Sequence, residues 1–289
     1  VANFSLNAYT ITTSSNPTTG GNTSGGGTYN YGDTATVSAT ANAGYTFVNW
    51  TEGGTVVSND EDYSFTVTSS RTLVANFSLN AYTITTSSNP TAGGNTTGGG
   101  TYNFGDTATV SATANAGYTF VNWTEGGTVV STNEDYSFTV TSSRTLVANF
   151  STNAYTITTS SNPTAGGNTT GGGTYNYGDT ATVSATANTG YTFVNWTEGG
   201  TVVSTNANYS FTVTASRTLV ANFSQNAYTI TTSSNPSAGG NTSGGGTYNY
   251  GDTATVSATA NAGYTFLNWT ESGTVVSTKE DYSFTVTAS

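Results

Sequence analysis

Cysteine, methionine and histidine are all absent from this sequence of 289 residues, and lysine and arginine together number only four. Without cysteine no disulfide can hold the fold together, and without histidine or cysteine a serine nucleophile lacks its usual base. The four basic residues face fifteen acidic ones, which gives a net charge of −11. Such a chain has no basic patch for phosphate groups, so we expect no nucleic acid as a partner. Because the usual catalytic side chains are missing, we also expect no enzyme activity and no cofactor.

Long apolar runs are also missing. No stretch approaches the roughly 18 consecutive apolar residues of a membrane-spanning helix, and no signal-peptide pattern opens the chain. The negative charge disfavours an anionic membrane surface as well. The abundance of Thr, Ser, Asn and Gly suits a polar surface exposed outside the cell. We therefore expect an extracellular or cell-surface location without membrane insertion.

The most prominent pattern in the sequence is an internal repeat of 73 residues. That interval separates the four tryptophans of the chain, Trp50, Trp123, Trp196 and Trp269. Nearly all flanking residues recur at the same spacing, which is typical of tandem units with one small fold each. The chain is three residues short of four full units. The predicted domains are a strand at 1–5 that completes a preceding repeat, then repeats at 6–78, 79–151, 152–224 and 225–289, the last without its final strand.

Side chains within each repeat alternate with the period of two that is typical of strands, and no helical period is present. Around the first tryptophan, Tyr45 and Phe47 are expected on the face opposite to Trp50. Gly53-Gly54 then predicts a tight hairpin turn. The glycine-rich stretch at 20–27 is expected to be a flexible hairpin connection. We predict an all-β fold for every repeat.

Several runs recur in every repeat: Ala-Tyr-Thr-Ile-Thr, Gly-Gly-Gly-Thr-Tyr-Asn, Gly-Asp-Thr-Ala-Thr-Val, Gly-Tyr-Thr-Phe and Asn-Trp-Thr. Together they resemble the divergent internalin-type B repeats, which belong with the Listeria–Bacteroides repeats of bacterial surface proteins. The resemblance implies a tandem array of β-grasp-like units, for which small β-sandwiches are the alternative. It also implies a spacer or adhesive module and transfers no catalytic residues.

Two groups of side chains are candidate binding sites. Asp60, Glu61 and Asp62 could gather carboxylates around Ca²⁺, but the third repeat has Asn206-Ala207-Asn208 there, which favours a solvated acidic loop. Trp50 with Tyr45 or Tyr31 could form a platform for a sugar. In so small a unit, a place in the core is the favoured role for its one tryptophan.

Glycosylation is a further candidate. Acceptor sequons begin at Asn3, Asn22 and Asn49, each with copies in later repeats. Asp33-Thr34-Ala35 resembles the Asp-Thr-small motif of Bacteroidetes-type O-glycosylation. It recurs with its threonine at Thr107, Thr180 and Thr253.

The leading functional hypothesis is a structural segment of an extracellular bacterial stalk or filament, with adjacent repeats or copies of the chain as partners. Its sharper form is head-to-tail strand complementation, and the alternative is that the sequence is a window on a longer polypeptide. The donated strand would be Val1, Ala2, Asn3, Phe4 and Ser5, which repeats the last strand of the internal units. The alternative is an adhesin-type module that recognises glycan or a surface protein.

Overall fold

A computed structural model describes all 289 residues, in two compact units, Val1–Ser151 and Thr152–Ser289. Each unit contains two repeats. Apart from two single-turn 3-10 helices, the regular structure consists of strands alone, so the all-β prediction is confirmed. Neither helix is long or apolar enough to cross a membrane.

The strands of the first unit follow the repeat. In the first repeat they are β1 (Ala8–Asn16), β2 (Gly21–Ser24), β3 (Gly27–Asn30), β4 (Thr34–Ala41), β5 (Tyr45–Glu52), β6 (Thr55–Ser58), β7 (Asp62–Thr66) and β8 (Arg71–Leu79). In the second they are β9 (Ala81–Asn89), β10 (Gly94–Thr97), β11 (Gly100–Asn103), β12 (Thr107–Ala114), β13 (Tyr118–Glu125), β14 (Thr128–Ser131), β15 (Asp135–Thr139) and β16 (Arg144–Thr152), with a 3-10 helix at Thr91–Gly93.

The second unit repeats this order and then loses its last strand. The third repeat has a 3-10 helix at Thr164–Gly166 and the strands β17 (Ala154–Asn162), β18 (Gly167–Thr170), β19 (Gly173–Asn176), β20 (Thr180–Ala187), β21 (Tyr191–Glu198), β22 (Thr201–Ser204), β23 (Asn208–Thr212) and β24 (Arg217–Gln225). The fourth has β25 (Ala227–Ile230), β26 (Gly240–Ser243), β27 (Gly246–Asn249), β28 (Thr253–Ala260), β29 (Trp269–Glu271), β30 (Thr274–Ser277) and β31 (Asp281–Thr285).

Each of the first three repeats is a small sandwich of two sheets. In the first repeat the larger sheet has the order β3-β1-β8-β5-β6, and the smaller has the order β2-β4-β7. The first and last strands, β1 and β8, pair in parallel at the middle of the larger sheet, and the other pairs are antiparallel. The parallel pair joins residues 60 apart, such as Ile11 and Arg71, so it closes the whole repeat.

The core lies between the two sheets. Strand β4 contributes small side chains, of which Ala35, Val37 and Ala39 are buried, as the alternation along that strand predicts. They leave room for the indole of Trp50, which comes from the larger sheet and is fully buried. Small residues on one sheet and one large ring on the other let the layers approach closely.

The predicted alternation along β5 is wrong. The pairing of β5 with β8 shifts between Phe47 and Asn49, which is a β-bulge. The extra residue, Val48, is left 45% exposed. Phe47 and Trp50 therefore both face the core, with ring centroids 6.2 Å apart.

The prediction of a flexible glycine-rich connection is also wrong, because part of that stretch is strand β2, which pairs with β4. A Cβ on Gly21 would overlap the ring of Phe77 and the carbonyl of Thr40. Glycine is required here for close approach of the chain to its neighbours. The Gly53-Gly54 turn is confirmed, with φ of 54° and 81°.

Candidate functional site

The tryptophan of the repeat belongs to the core. Trp50 has 0% exposure, and its indole Nε1 donates a hydrogen bond of 3.1 Å to the backbone carbonyl of Glu61. Trp123 and Trp196 are buried in the same way. A sugar cannot stack on a ring without an open face, so the platform hypothesis is wrong for the three complete repeats.

The acidic loop Asp60-Glu61-Asp62 contacts the core through a backbone carbonyl. The carbonyl of Glu61 accepts from the Trp50 indole and also from the backbone N–H of Ala39, while the side chain is exposed. In the third repeat the carbonyl of Ala207 takes the bond from Trp196 at 3.1 Å. The structure contains no group of three or more His, Cys, Asp or Glu side chains placed to hold a metal ion. Since any residue supplies a carbonyl, the loop tolerates the loss of its acids.

We expect Glu61→Ala to change the free energy of unfolding by less than about 0.5 kcal/mol, the range of neutral surface substitutions. Thermal unfolding of the full chain, with and without added Ca²⁺, measures the effect. A larger loss, or a transition that Ca²⁺ moves in the parent chain and not in the variant, would assign a role to the carboxylate.

An arginine contact, which we call the arginine clamp, joins strands β5 and β8 of the larger sheet to strand β7 of the smaller sheet. Arg71 forms an ion pair of 2.7 Å with Glu52, and its guanidinium carbon lies 4.3 Å above the ring centre of Phe65. The hydrogen bond to Glu52 favours the charged form and raises the pKa of Arg71. Reasoning on the sequence missed this pair. The signal was present, because an arginine follows the glutamate by 19 residues in each of the first three repeats.

The junctions inside each unit are nearly free of linker. Only Asn80 lies between the end of β8 and the start of β9. Its backbone N–H donates to the carbonyl of Gly44 at 2.8 Å, and its side-chain oxygen accepts from the hydroxyl of Thr46 at 2.7 Å. Asn80 also accepts a backbone hydrogen bond of 2.8 Å from Phe104. One residue thus ties the turn before β5 to the next repeat.

An aromatic ring completes this junction, and we call the contact the aromatic latch. The ring of Phe104 lies directly against Gly44, where a Cβ would overlap it. Gly44 has φ of 81°, a conformation that other residues rarely adopt. In the second unit Tyr250 lies against Gly190 in the same way, and Asn226 takes the place of Asn80.

The fourth repeat has an open groove where the other repeats have their last strand. The strand that corresponds to β1 is shortened to Ala227–Ile230, and the strand that corresponds to β5 is shortened to Trp269–Glu271. The larger sheet is split into the pairs β25-β27 and β29-β30. A cavity of about 270 Å³ opens beside Gly240 and Phe266. We call this region the open groove.

The third repeat shows what fills this space. There Phe223 of β24 packs over Gly166 and Gly167 and meets Phe193 edge to face at a ring distance of 5.8 Å. Beside it, Ala221 is fully buried. The open groove keeps the glycines and the facing phenylalanine and lacks only the inserted strand.

Residues 1–7 belong to no strand in this chain. Val1 and Phe4 are almost entirely exposed and Leu6 is mostly exposed, although the segment 1–6 has the same sequence as Val74–Leu79. In the first repeat that sequence forms the second part of β8, with Phe77 in the core.

The glycosylation candidates fall in two environments. Thr34 and its copies Thr107, Thr180 and Thr253 are exposed at the starts of their strands, and Asn22 is exposed on β2. Asn49 is half-buried, and its side-chain oxygen accepts a bond of 2.9 Å from Asn76. The carboxylate of Asp33 accepts from the backbone N–H of Asn30 at 2.8 Å, which gives this part of the motif a structural role in the turn. Glycosylation stays a prediction.

The fold and its junctions define a class of protein: a tandem array of β-sandwich repeats joined without flexible linkers. The family of the divergent InlB B-repeat domain matches residues 11–81, 84–154, 157–227 and 230–289, and the chain belongs to this family. The resemblance found in the sequence is thereby confirmed. Repeats of this kind are typical of bacterial cell-surface proteins without catalytic function.

One solved structure that aligns with this chain has low sequence identity to it. The structure of the Bacillus anthracis TIE protein aligns over 89% of this chain, with 10% identity and a TM-score of 0.35. This chain spans 59% of the length of that structure. No curated protein matches the sequence.

Proposed function

We propose that this chain is a stiff spacer in an extracellular bacterial stalk or filament. The observation that carries the proposal is the junction inside each unit, where a single asparagine separates the last strand of one repeat from the first strand of the next. A stalk must keep an extended conformation to hold its two ends apart. Flexible chains lose extension because their end-to-end distance grows only as the square root of length.

Four contacts limit the motion at such a junction. The backbone of Asn80 bonds to one repeat through Gly44 and to the next through Phe104. The Asn80 side chain holds the hydroxyl of Thr46. The ring of Phe104 then covers Gly44 with no space between them. Bending would break these bonds and open the latch together, so the two repeats are expected to move as one body.

A filament also requires joints between chains, and we propose strand complementation for this role. The open groove of the fourth repeat lacks one strand, and residues 1–6 repeat the sequence of that strand. An added strand would pair its backbone with both edges of the groove, a common mode of peptide recognition. Head-to-tail addition of this kind would extend as a fibre where its rotation does not close a ring.

The stiffness can be measured by the distance between two spin labels. Since the chain has no cysteine, Thr12→Cys and Thr85→Cys place single labels at equivalent exposed positions of the first two repeats. We expect one narrow distance distribution for the parent chain. Phe104→Ala removes the ring of the latch and should broaden the distribution.

A matched control separates backbone strain from loss of the latch. Gly44→Val introduces both strain at positive φ and overlap with Phe104. Gly32→Val introduces similar strain at φ of 90°, at a position with no neighbour within 4 Å. The distribution should broaden for Gly44→Val and stay narrow for Gly32→Val. A broad distribution in the parent chain would contradict the spacer function.

A further inference from the structure

We infer that the repeat is a force-bearing unit, because its first and last strands form a parallel pair that tension along the chain loads in shear. In the second repeat this pair is β9 with β16, and we call it the terminal pair. The inference rests on the proposed spacer function for its use, since a stalk that holds two objects apart is also pulled by them. It adds resistance to force to the stiffness proposed above.

Tension enters and leaves the second repeat through the two strands of the terminal pair. The preceding repeat ends with β8, and only Asn80 separates that strand from β9. After the repeat, only Asn153 lies between the end of β16 and the start of β17. A pull on the array is therefore a pull on the start of β9 and on the end of β16.

The parallel direction of the two strands turns this pull into shear. They pair over six residue pairs, the first of which is Ile84 with Arg144 and the last Asn89 with Asn149. The start of β9 and the end of β16 thus lie at opposite ends of the ladder, and the strands are pulled in opposite directions along their own axes. Because ladder hydrogen bonds run across the strands, all of them resist this slide together.

Side-chain hydrogen bonds close the ladder at both ends. Just before the first pair, the backbone N–H of Thr83 donates to the hydroxyl of Ser143 at 3.1 Å. At the last pair, the side-chain nitrogen of Asn89 donates to the side-chain oxygen of Asn149 at 3.2 Å. The same two bonds occur in the first and third repeats. A slide of one strand along the other would break them together with the ladder.

The terminal pair is also fixed within the repeat. It lies inside the larger sheet, whose order is β11-β9-β16-β13-β14. The side-chain nitrogen of Asn149 donates to the oxygen of Asn122 on β13 at 2.8 Å. On the inner face, Leu146 and Phe150 of β16 are buried in one core with Ile84 of β9. Sliding would move these side chains through a close-packed interior, which has no room for them elsewhere.

The terminal pair shields the rest of the repeat from tension. All the other strands lie between β9 and β16 in the sequence, so they carry no load until the pair fails. Unfolding under force is governed by the barrier to this failure and not by the free energy of unfolding. A repeat of 73 residues that fails releases about 250 Å of chain, at roughly 3.5 Å per extended residue.

The test compares two directions of pull on the same fold. Since the chain has no cysteine, Thr83→Cys can be combined with Ser151→Cys, at the opposite end of the terminal pair, or with Ser142→Cys, at the same end. All three positions are exposed. The full chain is held in optical tweezers by DNA handles on the two thiols, under reducing conditions. We expect an unfolding force at least about twofold higher for the opposite-end variant, because its ladder must break all at once.

Two serine variants in the opposite-end chain provide a matched control. Ser143→Ala removes the hydroxyl that accepts from Thr83. Ser137→Ala removes an equally exposed hydroxyl in the smaller sheet, which lies 2.8 Å from that of Thr109. Loss of one hydrogen bond at the terminal pair should raise the unfolding rate under force about fivefold. Ser137→Ala should leave that rate unchanged, because its strands stay paired until the terminal pair has failed.

Equal unfolding forces for the two directions of pull would overturn the inference, as would equal unfolding rates for the two serine variants. The label distances keep this result apart from the proposed spacer function. A strong dependence on direction together with broad label distances would leave force-bearing repeats and overturn the stiff spacer. Equal forces together with narrow distances would leave the spacer and overturn the force-bearing unit.

Discussion

Extending the chain after Ser289 by the sequence of Arg71–Leu79 is expected to stabilise the fourth repeat by about 3 to 5 kcal/mol, the scale of restoring one large buried side chain. In the first repeat this sequence places Leu73, Ala75 and Phe77 in the core. The extension would supply the same side chains to the open groove and bury the partly exposed Trp269.

The extension should also rebuild the sheet. Without it, the strand that corresponds to β1 has four residues where its copies have nine. The strand that corresponds to β5 has three residues where its copies have eight. Each shortened strand has lost its hydrogen-bonding partner in the middle of the sheet, and both should regain full length once the ladder is restored.

Hydrogen exchange of the full chain, resolved by peptide, measures the change. Amides of 231–235 and 264–268 should become protected in the extended chain, while those of the first repeat stay as they were. The matched control carries aspartate in place of the phenylalanine of the added sequence, and should give little protection. Equal protection with and without the extension would show that the groove does not accept this strand.

Trp50→Ala is expected to destabilise the first repeat by roughly 3 to 5 kcal/mol, the cost of deleting a large buried aromatic side chain. The substitution leaves a cavity between the two sheets and removes the hydrogen bond to the carbonyl of Glu61. A small domain has a total stability of about 5 to 15 kcal/mol, so this loss removes a large part of it.

The effect should be local to the sandwich that contains the cavity. Hydrogen exchange at increasing urea concentration should show that the amides of residues 8–79 lose protection at a lower urea concentration in the variant than in the parent chain. Val48→Ala is the matched control on the same strand, because Val48 is the exposed residue of the bulge and should cost less than about 0.5 kcal/mol. Unfolding of Trp50→Ala at the same urea concentration as Val48→Ala would mean that the indole does not hold the core.

Some features could be predicted because their causes are local. The alternation of Ala35, Val37 and Ala39 specifies a strand with one buried face, whatever lies opposite. The Gly53-Gly54 turn follows from the need for positive φ at both positions. The buried tryptophan followed from the small size of the unit.

Other features depend on residues far away in the sequence. The bulge at Val48 exists because β5 must pair with β8 while both Phe47 and Trp50 reach the core. The role of the acidic loop could not be predicted from the sequence, because it depends on a backbone carbonyl, which every residue has. The latch joins Gly44 to Phe104, and nothing in the local pattern around either residue indicates the contact.

By itself the sequence determined the repeat length, the all-β class, the family and the buried tryptophan, because periodicity and turn chemistry are properties of neighbouring residues. Only the tertiary structure decided that β1 and β8 pair in parallel, that glycines 20 and 21 serve close packing, and that one asparagine and one ring fix each junction within a unit. The physical reason is that backbone pairing and close approach depend on which distant segments meet.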